Sequence, residues 1–100
     1  MIKHIVMWRL KEFADARDEE ENAKKLKSHL ESLKSKIKEI KHIEVGINIK
    51  SSDAASDIIL YSEFDSMDDL EAYQRHPEHM KIVDFVNEIR LERRVVDYKV

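Results

Sequence analysis

Ile58-Ile59-Leu60-Tyr61-Ser62-Glu63-Phe64 predicts a strand that avoids water on both of its faces. Ile58, Leu60 and Phe64 share one side, and Ile59 and Tyr61 share the other. Such a strand needs cover front and back. Immediately upstream, Ser51 to Ser56 reads as a loop. Before it, Ile43, Val45, Ile47 and Ile49 alternate with Glu44, Gly46 and Asn48, which describes a strand with one wet face. Gly46, the only glycine, is expected to mark a bulge or a close backbone approach.

Further out, Ala23, Leu26, Leu30, Leu33, Ile37 and Ile40 recur at spacings of three and four and predict a helix over 23–40. Asp15 or Asp18 caps its start, acids fill its first turns, and Lys34, Lys36 and Lys38 crowd its last ones. That polarity complements the helix dipole, so the lysines need no nucleic-acid explanation. At the N-terminus, Ile2, His4, Val6, Trp8 and Leu10 share one face of a strand, and Lys3, Ile5, Met7 and Arg9 share the other. Downstream, Ser66 and Asp69 resemble a capping box that opens a short helix to about Gln74. Pro77, the only proline, starts another helix, with His76 as its N-cap and Met80, Ile82, Val83, Phe85, Val86 and Ile89 as its apolar face. Val95, Val96, Tyr98 and Val100 close the chain as a strand.

The order β-α-β-β-α-β is that of an α+β, ferredoxin-like fold: a four-stranded antiparallel sheet with helices on one side. The helices cover one face of that sheet and leave Ile5, Met7, Ile59 and Tyr61 on the other. An apolar face of this kind calls for a partner. The expected partner is a second copy, two sheets stacking into a dimeric α/β barrel.

The 100 residues are read as a single domain, 1–100, with 42% hydrophobic residues for a core and 39% charged residues for the exterior. A formal charge of −3 argues against a nucleic-acid partner. The absence of cysteine excludes disulfides and thiolate metal sites. No apolar run approaches the ~20 residues of a membrane helix, and the opening strand lacks a signal peptide's apolar region. A cytoplasmic protein without a membrane partner is expected.

Chemistry concentrates in Tyr73-Gln74-Arg75-His76-Pro77-Glu78-His79, two imidazoles and a phenol at a helix break. His79 has the titration range of a general acid or base, and Tyr73 is placed to share a hydrogen bond with it. The competing reading makes His79 a local hydrogen-bonder and Tyr73 a packed aromatic with its hydroxyl satisfied. A zinc site on His76 and His79 would need a third ligand such as Glu63 or His4, and the spacing alone is common. The seven acids of residues 53–71 are read as a solvated face and not as a cation site. Neither a metal nor a cofactor is expected.

The chain resembles the stress-responsive A/B barrel domain family almost end to end. The resemblance is carried by Ile2-Lys3-His4-Ile5-Val6-Met7-Trp8, Val45-Gly46-Ile47-Asn48, Ser62-Glu63-Phe64, Leu70 to His79 and Val95-Val96-Asp97-Tyr98. It implies a dimeric α+β barrel, often of unassigned biochemical role, with stress-linked members and a branch that contains olivetolic acid cyclase. In that branch a tyrosine and the second histidine of a His-Pro-x-His motif act as acid–base groups; the matching residues are Tyr73 and His79, and a pocket histidine on the first strand matches His4. The implied ligand pocket is bounded by His4, Val6, Trp8, Leu60, Tyr73, His79 and Val83. A closed alternative has Trp8, Val83 and Phe85 plugging it.

Two functions follow. One is a homodimeric barrel that binds a small apolar or aromatic ligand or serves a stress response. The alternative is a cofactor-free acid–base enzyme, cyclase- or lyase-like or monooxygenase-like, that works through Tyr73 and His79 with His4.

Overall fold

The computed structural model describes residues 1–100. Its strands are β1 (Ile2–Leu10), β2 (Phe13–Ala14), β3 (Arg17–Asp18), β4 (His42–Ile47), β5 (Ile58–Phe64) and β6 (Arg90–Lys99). The helices are α1 (Glu19–Ser32), α2 (Met67–Arg75) and α3 (Pro77–Ile89). Four strands form an antiparallel sheet in the order β4-β5-β1-β6, which is the expected ferredoxin-like α+β arrangement. The added β2–β3 hairpin occupies what reads as a polar turn, and its tip holds Asp15 and Ala16 at positive φ.

The caps explain where the helices begin. Asp18 accepts the backbone N–H of Glu21 and opens α1, so Asp18 and not Asp15 is the cap. Ser66 accepts from the N–H of Asp69 at α2. His76 Nδ1 accepts from the N–H of Glu78, and Pro77 follows at the first position of α3.

Three boundaries differ from the sequence reading. First, α1 stops at Ser32 rather than 40. The Ser32 and Ser35 hydroxyls bond the carbonyls of His29 and Ser32, and the chain tightens into a 3₁₀ turn over Leu33–Ser35. Ile37 and Ile40 reach the core from irregular chain, and Lys36 and Lys38 lie beyond any helix. Second, β4 ends at Ile47, leaving Ile49 fully exposed. Third, β6 begins at Arg90, directly after α3, because its early charges conceal a strand from hydropathy. Gly46 marks a close approach and no bulge: a Cβ there would sit 3.3 Å from Ile59 Cγ2.

The two faces of the sheet divide as the alternation requires. Ile2, His4, Val6, Trp8 and Leu10 of β1 are buried beneath the helices with Ile58, Leu60 and Phe64 of β5. On the opposite face Met7, Ile59, Val96 and Tyr98 stand 37–50% exposed.

Candidate functional site

A cavity of about 80 Å³ lies between the helix side of the sheet and the helices. His4, Val6 and Trp8 of β1 and Leu60 of β5 form one wall, Tyr73 and Gln74 of α2 and His79, Ile82 and Val83 of α3 the other. All seven pocket residues that the sequence points to therefore meet around one space. Trp8 and Val83 are walls and not plugs. Phe85 is outside: it packs edge-on against His29, at 5.7 Å between ring centres, beneath the Lys25 ammonium. The volume is smaller than the ~150 Å³ of an engineered core cavity that holds benzene, and has room for only a few heavy atoms.

Tyr73 is completely buried, and its hydroxyl has no hydrogen-bond partner. Its ring lies 4.5 Å from that of His79 and 5.0 Å from that of Phe64, centre to centre. The expected Tyr73–His79 hydrogen bond is not formed; the two rings pack tilted at 51°. Burial pushes the Tyr73 phenol far above its ordinary range, with the Arg93 charge opposing, so it stays protonated. The Trp8 indole N–H is a second buried donor without an acceptor. Native proteins rarely leave such groups unpaired, and here two belong to residues that line one small cavity.

His79 sits in the first turn of α3, and its Nδ1 lies 3.0 Å from the Gln74 carbonyl. With Nδ1–H donating there, the lone pair is on Nε2. Burial holds the His79 pKa below the ordinary imidazole value. The Gln74 carbonyl opposes this, while His4, Arg93 and His76 add to it. At neutral pH the ring is therefore an uncharged base.

His4 is 2% exposed and pairs through Nδ1 with the Asp97 carboxylate. The contact follows from register, because His4 and Asp97 stand directly opposite in the β1–β6 ladder. A carboxylate on one ring nitrogen fixes the imidazole's orientation, as in hydrolytic triads. The sequence did not point to Asp97 as a site residue, nor to Leu30, Gln74, Ile82, Val86, Asn87 and Arg93 as parts of the cavity wall. The period-two alternation of β6 is the signal that would have found Asp97 and Arg93. His76 is committed to capping, and no group of three or more His, Cys, Asp or Glu side chains is gathered that would hold a metal ion.

The stress responsive A/B barrel domain family matches residues 2–100. The chain belongs to this family. A dimeric protein of unknown function with a ferredoxin-like fold from Bacteroides fragilis is 37% identical to this A/B barrel protein; the match covers 99% of this chain and 95% of that one, with a TM-score of 0.83. A hydroxynitrile lyase from Passiflora edulis shares the fold at 16% identity, over 99% and 92% of the two chains, with a TM-score of 0.80. A putative antibiotic biosynthesis monooxygenase from Nitrosomonas europaea does so at 19% identity, over 100% of this chain and 98% of that one, with a TM-score of 0.75. No curated protein matches this A/B barrel chain. No helix is long and apolar enough to cross a membrane.

Proposed function

We propose that this A/B barrel protein is a homodimer that holds a small oxygen-bearing organic molecule in the cavity of each subunit. The observation that carries the reading is Tyr73, a residue of the cavity lining whose buried hydroxyl has nothing to bond. A cavity meant only as packing would be lined by apolar atoms, and a donor left there costs about 1–3 kcal/mol. The dimer is supported by the open sheet face, where Met7, Ile59, Val96 and Tyr98 remain accessible beside Ile5 and Tyr61. It is supported too by the dimeric state of the 37%-identical Bacteroides fragilis relative. A stress-related role and a cytoplasmic location fit the family.

One observation favours a second reading, acid–base catalysis on the bound molecule. Two imidazoles flank the Tyr73 ring, one oriented by Asp97 and one neutral with Nε2 free. In that mechanism His79 Nε2 removes a proton from carbon next to a carbonyl, and the Tyr73 hydroxyl donates to the oxyanion that develops. His4, held by Asp97, returns or relays the proton.

The test is ligand retention and turnover in Tyr73→Phe and His79→Ala. Ligand binding is expected to weaken in Tyr73→Phe, and any turnover to disappear in His79→Ala. Undiminished binding and turnover in both variants would retire the site.

A further inference from the structure

The β1–β6 register places Arg93 opposite Trp8, on the helix side of the sheet, where it lines the cavity while remaining exposed to solvent. It therefore stands at the cavity's rim. Its neighbours do not neutralise it. Arg94 takes Glu92 at 3.1 Å, and Asp97, the next acid along the same face, is held by His4. An arginine at the rim of a mostly apolar cavity, with no carboxylate of its own, is a prepared anion site, because its fork matches a carboxylate's two oxygens. Deeper in, the unpartnered groups are both donors, Tyr73 Oη–H and Trp8 Nε1–H. What the site lacks is acceptor oxygen, at the rim and again inside.

We propose that the cavity binds a small monocarboxylate bearing a second oxygen, a carbonyl or hydroxyl. Arg93 holds the carboxylate, and the Tyr73 hydroxyl donates to the inner oxygen. The proposal rests on the ligand-site reading above and names its ligand class. The dimensions agree: about 80 Å³ between Val6, Leu60 and Ile82 accommodates a short carbon chain, with the charged end left at the exposed rim. A fully neutral guest would leave the guanidinium unused. A phosphate would bring up to two negative charges to a lining whose one permanent cation is Arg93.

Trp8 is the only tryptophan and lines the cavity, so its fluorescence reports occupancy. The purified protein is titrated with 2-oxobutanoate, its methyl ester, butanoate and inorganic phosphate. Saturable binding of 2-oxobutanoate is expected, with the ester, butanoate and phosphate each at least tenfold weaker. Arg93→Gln should cost the oxo acid at least tenfold and leave the ester unchanged. Tyr73→Phe should reduce the oxo acid to the level of butanoate. Arg93 is exposed, so its variant is expected to fold, and an unchanged unfolding midpoint verifies this. Equal binding of acid and ester, phosphate binding as tight as the oxo acid, or an Arg93→Gln variant that loses nothing overturns the carboxylate assignment while the cavity remains a ligand site. No response to any of the four compounds overturns both.

Discussion

Replacing Tyr73 by phenylalanine separates a packing residue from a ligand-binding one, because the two roles predict stability changes of opposite sign. The ring's contacts with His79, Phe64 and His4, at centre distances of 4.5, 5.0 and 6.2 Å, survive the change. Only the hydroxyl is removed, and in the ligand-free protein it bonds to nothing. Leaving a buried hydroxyl unpaired costs about 1–3 kcal/mol. Tyr73→Phe should therefore stabilise the empty protein by about 1 kcal/mol, or about 4–8 °C in Tm for a domain of this size. The same variant loses one hydrogen bond to the ligand, worth about 1.4 kcal/mol or roughly tenfold in affinity. Urea or thermal unfolding of ligand-stripped protein reads the first effect, and ligand titration the second. A stability loss of 1 kcal/mol or more would refute the reasoning, since it would mean that the hydroxyl is satisfied within the folded chain.

Ile59 stands 38% exposed in the middle of the open sheet face, flanked by Met7 across the β1–β5 ladder. Ile59→Asp places a charge in the proposed interface and should weaken the dimer more than a hundredfold; sedimentation at micromolar concentration checks this, and an intact dimer places the interface elsewhere. His79 gives a pH signature. Its pKa is depressed in the fold, chiefly by burial, so below about 6.5 the unfolded chain takes up a proton that the folded protein refuses. Stability therefore falls as pH drops through that window, by at most about 1.4 kcal/mol per pH unit, until the folded-state pKa is reached. Glu19 acts with the opposite sign. Its pKa is pushed up to about 7, first by its hydrogen bond with Asp57 and then by burial, so its contribution is lost as pH rises from about 4.5 towards 7. The difference between wild type and His79→Gln isolates the histidine: the variant should lose less stability than wild type between pH 6.5 and pH 5, and identical slopes would contradict the assignment.

The parts of this structure legible in the sequence are those governed by periodicity. The faces of β1 and β5 follow from strict alternation, and the helix break at Pro77 from a ring that cannot continue a helix. The apolar stripe of α1 identifies buried residues correctly through Ile40, although the helix stops at Ser32, because burial tracks hydrophobicity and not backbone conformation. The site was legible where its residues sit in one local motif, Tyr73 to His79, or on a clear strand, His4 to Trp8. Arg93 and Asp97 were hidden because their roles depend on pairing across the β1–β6 ladder, 85 and 93 positions from Trp8 and His4 in the chain. Charge in Arg90–Arg94 further masked the strand that carries them. The unbonded Tyr73 hydroxyl is likewise invisible in sequence, where a buried tyrosine is normally assumed to have found its acceptor.

In the proposed assembly a twin covers the bare side of the sheet while the space behind it keeps a small molecule. Native mass spectrometry of freshly purified protein at micromolar concentration reads both halves at once. The account predicts twice the 11.9 kDa chain mass plus a small organic adduct that disappears on gentle activation. A bare monomer at that concentration would contradict it.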